Sequence, residues 1–480
     1  MRRAKRFLSA LAVGLVGGSL LTGASARGEA SRQLPAGPAL PDDPLLREMV
    51  ASALETRPEL VQSRSQIFAE KERVPQSRVL PDPTLSLGIQ NDGFGGIQIG
   101  RMESSWLYIV ASQTLPWPGK RGLRGDIVGL DVRSAEADLR RTLLTLAADV
   151  ERAYLDLLLV RDQLGLLAKS ESLWKQSEAM ARARYETGET AQSDLLRAQL
   201  ERNRLSQRRW ALQAEEERRI TVLNRLRGRS AGEPIATVRT LADLPDPVLF
   251  DVNQAIANSV SESPEMKKAQ LAFEQTERRA DLARRERWPD VTVSAGVMPR
   301  WGAFETMWQA GVAFNIPVWS AARQARVIAE NRARGQAVRG GSDALRQLLE
   351  QRVRERLATL YGLVEANRLY RSGLLVESEA TVSSTLVQYR VGRASFASVL
   401  ETLSGHLADL NGFLESVAAA QRIAIAEREI SLDGPGGSTG GTMGASPMPG
   451  TGATTTLSPS SRVSAQQQGP EGGGSVMSRM

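Results

Sequence analysis

Leu80-Pro81-Asp82-Pro83-Thr84-Leu85-Ser86-Leu87-Gly88 and Trp288-Pro289-Asp290-Val291-Thr292-Val293-Ser294-Ala295-Gly296 are one segment written twice. Other anchors recur in the same order, each a little over two hundred residues further on. Arg57-Pro58-Glu59-Leu60 returns as Ser263-Pro264-Glu265-Met266, Leu115-Pro116-Trp117 as Ile316-Pro317-Val318-Trp319, and Tyr185-Glu186-Thr187-Gly188 as Tyr389-Arg390-Val391-Gly392. Solenoid repeats have periods of roughly 20–50 residues. A period this long means one fold unit duplicated, so a reading of one half tests the other.

In each copy the prolines separate a helix from a strand pair. Proline cannot continue a helix and restricts its predecessor, so Pro81 and Pro83 end the helix expected over Pro44 to Arg78. Leu85, Leu87 and Ile89 then alternate with Ser86, Gly88 and Gln90, the period of a half-buried strand. Asn91 to Gly96 is a glycine-rich turn, and Trp106 to Leu115 returns with aromatic and β-branched residues. The second copy repeats this with Val291, Val293, Ala295 and Val297, a turn over Pro299 to Glu305, and Trp308, Ala310, Val312 and Phe314. Each strand reads as about 10 residues, enough to cross a bilayer when tilted.

Long helices follow each hairpin. From Leu139 the apolar positions are Leu143, Leu146, Val150, Ala153, Leu157, Val160, Leu164 and Leu167. Steps alternating four and three make a coiled-coil seam, and Val353, Leu357, Leu360 and Val364 repeat it. A helix over Gly119 to Glu186 would be roughly 100 Å long. Gly188 suits its C-cap. A return helix runs from about Thr190 to Arg227, with Thr190 or Ser193 as N-cap.

The ends differ in composition. Arg2, Arg3, Lys5 and Arg6 precede an apolar run from Phe7 to Leu21 and the small residues Ala24-Ser25-Ala26, the pattern of a cleaved secretory signal. Residues 1–26 are therefore read as signal peptide and 27–43 as a Pro-rich lead. The first repeat covers 44–227, a Gly/Pro-punctuated linker 228–247, and the second repeat 248–431. Residues 432–480 form a Gly/Ser/Thr-rich tail, read as disordered.

Several function classes are excluded. The chain has no cysteine, so it offers neither a disulfide framework nor an acylation site for a lipid anchor. Four of the positives behind the +7 net charge lie in the leader, and arginines elsewhere alternate with acids along helices. That is a solvated face rather than a nucleic-acid footprint. The single histidine, His406, cannot build a metal site alone. A Ser/His/Asp triad would depend on it with no nucleophile elbow, and Gly119-Lys120-Arg121 lacks the spacing of a phosphate loop. The chain reads as no enzyme, with no cofactor and no metal site.

Four bilayer-length strands cannot stand alone in hydrocarbon, because open edges leave backbone groups unpaired. Outer-membrane barrels start at about eight strands. Two copies would supply eight and three copies twelve, so oligomerisation is expected.

Taken together, these segments resemble the TolC-type outer-membrane efflux channels, or outer-membrane factors. The resemblance rests on Arg57-Pro58-Glu59-Leu60, Leu80-Pro81-Asp82-Pro83, and both tip turns with the helices opening at Asp194-Leu195-Leu196-Arg197-Ala198-Gln199 and Ser398-Val399-Leu400-Glu401. It implies a mainly α fold with a small β part: a homotrimer in which duplicated strand hairpins and long helical hairpins form an α-barrel joined to a 12-stranded transmembrane β-barrel. It implies an outer-membrane location reaching into the periplasm, contact with outer-membrane lipid, a periplasmic adaptor, and an inner-membrane pump of the RND type.

Gln113-Thr114-Leu115-Pro116-Trp117-Pro118-Gly119-Lys120 looks most like the branch serving heavy-metal efflux, with drugs as the other cargo class. The resemblance places adaptor docking at the tip turns, on Tyr185, Gly188, Glu189, Tyr389, Val391 and Gly392. It places the periplasmic gate near Tyr389, Arg390, Arg393 and Glu401; the family's common arginine two positions after the tip glycine is Ala394 here. Two alternatives stay open: the exit duct of a type I protein-secretion system, and a pore-less coiled-coil protein of the periplasm.

Overall fold

The computed structural model describes residues 43–434; the signal peptide, the Pro-rich lead as far as residue 42 and the tail from 435 lie outside them. Helix α1 (Pro44–Thr56) and helix α2 (Pro58–Arg78) lead into strands β1 (Thr84–Gln90) and β2 (Trp106–Leu115). Helices α3 (Lys120–Glu186) and α4 (Gln192–Leu226) form the first long hairpin. After a short 3₁₀ turn at Leu241–Asp243 come α5 (Val252–Glu262), α6 (Pro264–Arg285), β3 (Val291–Met298) and β4 (Met307–Phe314). Helix α7 (Ser320–Leu369), a π turn at Tyr370–Leu374, α8 (Leu375–Arg390) and α9 (Phe396–Glu429) complete the second hairpin.

The repeated motifs turn out to be element boundaries. The helix expected over Pro44 to Arg78 is two helices. Arg57 is extended at φ −70°, ψ 127°, because the residue before a proline is pushed out of the helical region. Pro58 and Pro264 each occupy the first helical turn, where a missing N–H costs nothing. The return helix α4 is preceded by Ala191, with no side-chain cap, rather than by Thr190 or Ser193. The strands are 7, 10, 8 and 8 residues long. β2 reaches the expected length; β3, also paired on both sides, and the edge strands β1 and β4 are shorter, and β2 runs on to Leu115 past its last pairing with β1 at Ser112.

The four strands form one antiparallel sheet in the order β1-β2-β3-β4. Among the described residues the two largest buried clusters hold the long helices together. One, at mid-length, joins Leu46 and Met49 of α1 to Tyr154 and Leu157 of α3, Leu223 of α4 and Val417 of α9. The other lies toward the turns and joins Leu167, Trp174 and Ala181 to Ala198, Leu205, Val382, Tyr389, Phe396 and Leu403. It draws on α3, α4, α8 and α9, so the two hairpins pack as one body there.

Arg141 of α3 ties two helix ends together. Its guanidinium forks onto the carboxylate of Glu265 in the first turn of α6. It also donates to the backbone oxygens of Glu429 and Ile430 at the end of α9, at 3.0 and 3.3 Å. Ile430 sits in the left-handed region at φ 55°, which costs a β-branched residue roughly 1–3 kcal/mol. Arg352 and Arg356 donate to the next two carbonyls, those of Leu432 and Ser431. These bonds occupy the orphan carbonyls of the α9 terminus and hold the strained turn in place.

Burial raises the pKa of Glu265, but the Arg141 guanidinium and the Ser263 hydroxyl outweigh it and leave the carboxyl below its usual range. A carboxylate depressed in the folded state stabilises the fold above its unfolded pKa of about 4.3. That share is lost as pH falls through the folded value. Thermal unfolding of solubilised protein should therefore show an acid-side loss of stability that is smaller in Glu265→Gln. An identical acid-side slope in both proteins would refute the assignment.

Candidate functional site

Register gives the sheet two unlike faces. Leu85 stands opposite Ala111, Leu87 opposite Ile109 and Ile89 opposite Leu107. Ile109 then faces Val297 and Ala111 faces Ala295. Val293 faces Val312, Val291 faces Phe314 and Val297 faces Trp308. Every one of these positions is apolar, and Leu85, Leu87, Val312 and Trp308 are more than half exposed. Gln113, opposite Val293, is the polar exception on that face, and the opposite face is the more polar of the two, carrying hydroxyls and glycines beside Trp106, Tyr108 and Val110. Thr84 and Ser112 hydroxyls meet at 2.6 Å, Thr114 and Thr292 at 3.0 Å, and Ser294 donates to the Gly311 carbonyl at 3.3 Å. One apolar exposed face backed by a polar one is the arrangement of a strand layer between lipid and water. Among the described residues no helix is long and apolar enough to cross a membrane.

The helical hairpins end in two matching turns. The Glu189 amide donates to the Arg184 carbonyl at 2.8 Å and the Gly188 amide to Tyr185 at 3.0 Å. The Arg393 amide donates to Gln388 at 2.8 Å and the Gly392 amide to Tyr389 at 3.1 Å. Both are Schellman caps, which need a left-handed residue at the glycine; Gly188 has φ 76° and Gly392 φ 77°.

Of the residues expected to dock an adaptor, Tyr185, Glu189 and Val391 are exposed. Tyr389 is 1% exposed and packs at 5.5 Å against Phe396. It therefore supports the tip from below instead of presenting a ring to solvent. Its hydroxyl is buried without a hydrogen-bond partner, and burial raises its pKa above the usual phenol value. Arg390, Arg393 and Glu401 are exposed and form no side-chain contact with one another.

Arg184 is the residue that sequence reasoning missed. Its guanidinium lies over the Tyr389 ring at 5.0 Å, donates to the Tyr389 carbonyl at 2.8 Å, and pairs with Glu189 at 3.2 Å. One side chain thus staples the first tip to the second. The available signal was a basic residue in the last helical turn, one turn before the tip glycine, where it complements the helix dipole. His406 bonds Ser378 at 2.8 Å between α9 and α8, and no group of three or more metal-ligating side chains exists among the described residues.

A charge-assisted hydrogen bond is worth about 1.5–3 kcal/mol, and 1.4 kcal/mol is tenfold in an equilibrium. Arg184→Ala should therefore speed amide hydrogen exchange over residues 389–394 by roughly tenfold or more. Exchange there at the wild-type rate would refute the staple.

Comparison with known proteins agrees with this geometry. Residues 49–228 match the family model "Outer membrane efflux protein". No curated protein matches the sequence. Solved structures share the fold at low identity. CusC is 17% identical with a TM-score of 0.69, over 83% of this chain and 95% of that one. The outer-membrane channel OprN is 16% identical with a TM-score of 0.68, over 81% and 90%. The MtrE outer membrane channel of Neisseria gonorrhoeae is 15% identical with a TM-score of 0.66, over 83% and 93%. With its two-faced sheet and its duplicated helical hairpins, the chain shares the fold of these outer-membrane channels, and its residues 49–228 match the outer membrane efflux protein family.

Proposed function

We propose that this protein is the outer-membrane duct of a tripartite efflux system. Three copies close their sheets into a twelve-stranded barrel, and their helical hairpins form an α-barrel that crosses the periplasm. The observation that carries the reading is the sheet: one face apolar, the other polar, both edges unpaired, and one end continuous with the long hairpins. Export through the leader at residues 1–26, without a lipid anchor, belongs to the same reading.

Cargo passes from an RND-type pump through an adaptor seated on the tips, around Tyr185, Gly188, Glu189, Val391 and Gly392, with Tyr389 beneath them. Arg390, Arg393 and Glu401 have no ion pair among the described residues, which leaves them free to bond neighbouring helices as a gate. Heavy-metal cations are the first cargo class and drugs the second. The support is the likeness of Gln113–Lys120 to the metal branch. Within this chain that segment has a structural task, since Trp117 and Lys120 bind Asp290. Specificity is therefore expected in the pump, with the duct a passive conduit.

Deleting the gene and measuring growth against divalent and monovalent metals, hydrophobic antibiotics and dyes tests the cargo. Hypersensitivity to metals alone supports the metal branch, and sensitivity to drugs alone moves the cargo class. No change in either, with altered secreted proteins, would favour the secretion duct. Gating is tested separately: Arg393→Ala should raise passive permeability to bulky antibiotics, and unchanged permeability in a folded oligomer rejects the gate. A cation on a lipid-facing strand position costs about 2–4 kcal/mol. Val293→Lys should therefore deplete the protein from the outer membrane, whereas Ser294→Lys, on the opposite face, should not. Equal loss in both would overturn the assignment of faces.

A further inference from the structure

The chain joins its two copies at one seam, and that seam is a template for a second. Where β2 meets β3, the Trp117 amide donates to Asp290 Oδ1 at 2.8 Å. Lys120 Nζ reaches the same oxygen at 2.8 Å and the Trp288 carbonyl at 2.8 Å. The Trp117 and Trp288 rings stack at 5.2 Å and 11°. The end of one strand and the approach to the next are thus locked just below the last ladder pair, Leu115 opposite Val291.

Duplication writes each half of this lock a second time. Leu80-Pro81-Asp82 stands where Trp288-Pro289-Asp290 stands, and Ile316-Pro317-Val318 where Leu115-Pro116-Trp117 stands. These second halves lie on opposite edges of the sheet and do not meet within the chain. Asp82 is exposed and takes no hydrogen bond or ion pair among the described residues. Ile316 is 71% exposed and Val318 74%. The edge that should receive the lock and the edge that should supply it are both vacant.

In the ring of copies proposed above, β4 of one copy meets β1 of the next; we propose that the vacant halves form the same lock at that seam, with Asp82 of the partner subunit accepting the Val318 amide. Carrying the β2–β3 register across sets Phe314 opposite Leu85 of the partner subunit, Val312 opposite Leu87 of the partner subunit, and Ala313 opposite Ser86 of the partner subunit. A shift by one residue would turn every side chain to the other face. The register obtained from the duplication keeps apolar opposite apolar, a requirement the duplication itself did not impose.

The Val318 amide presently turns onto the Ile316 carbonyl two residues back, at 2.9 Å. Exchanging that contact for a carboxylate gives the stronger, charge-assisted bond. The intermolecular seam is the weaker of the two, because Ala321 stands where Lys120 stands and brings no ammonium. Asp82 therefore carries a larger share of it than Asp290 carries of the internal seam.

This inference rests on the reading that the chain closes into a ring with copies of itself in the outer membrane. The test uses the full-length protein, which has no native cysteine. Directly opposed strand residues have Cβ atoms about 4.5–5.5 Å apart and diagonal ones about 7–8 Å; a disulfide needs about 3.5–4.5 Å. The double variant S86C/A313C should form covalent oligomers under oxidation, whereas T84C/A313C, displaced by two residues, should not. Asp82→Ala should lower the temperature at which the uncross-linked oligomer dissociates in detergent, and Asp82→Asn, which keeps an acceptor, should lower it less. Linkage by T84C/A313C in preference to S86C/A313C overturns the register. No linkage in either, with an oligomer recovered from the outer membrane, overturns this register while the ring itself stands. Absence of the unsubstituted protein from the outer membrane would instead sink that reading. A wild-type dissociation temperature in Asp82→Ala overturns the role of Asp82.

Discussion

Backbone hydrogen bonding at the sheet edges is the constraint on which the rest depends. A β-strand carries an N–H and a C=O at every residue, and in hydrocarbon each unpaired one costs several kcal/mol. The sheet here is apolar on one face and open at β1 and β4. Charges, prolines or bulges would protect such an edge in water. These strands carry none of them, since β1 reads TLSLGIQ and β4 reads MWQAGVAF. The edges are therefore built to be paired.

The helices answer the same constraint from the other end. A sheet of strands 7 to 10 residues long has little core of its own. The buried clusters lie instead among the helices, at mid-length and near the tips. Ordering the sheet thus depends on helices that enter it through tightly bonded junctions, with Asp290, Lys120 and Trp117 at the centre of one of them. Sequence identity to the solved channels is low, yet the fold is shared. What must be kept is the register of a two-faced sheet and a seven-residue seam, and many side chains satisfy both.

Much of this was legible in the sequence because periodicity reports burial directly. Alternation in Leu85–Ile89 gave the apolar face, and the glycines at 188 and 392 gave the turns. What was missed depends on contacts distant in sequence. Tyr389 read as a surface gate residue, but its burial comes from Phe396 and Arg184, which only the packing of two hairpins brings to it. The break at Arg57 did have a local signal in Pro58, and its twin Ser263-Pro264 is also a helix start. The π turn at Tyr370–Leu374 had none. It is fixed from outside, by the Tyr370 ring against Phe413 at 5.9 Å and by Asp246, which binds both Asn367 and Arg371.

That π turn also explains how two copies of one helix differ. In the first copy Leu146, Ala153, Val160, Leu167, Trp174 and Ala181 are all buried, at an unbroken spacing of seven along a single helix. In the second copy Val353, Leu360 and Asn367 keep that spacing, and so do Val382 and Tyr389, but fifteen residues separate Asn367 from Val382. Two heptads would be fourteen, so there is one residue too many. An extra residue rotates the following helix by roughly 100°, since an α-helix has about 3.6 residues per turn. The seam beyond it would then leave the core. A single π turn absorbs one inserted residue within an otherwise α-helical segment, and it lies inside that interval. Tyr389 is buried at the second tip because the extra residue is absorbed there, ahead of α8.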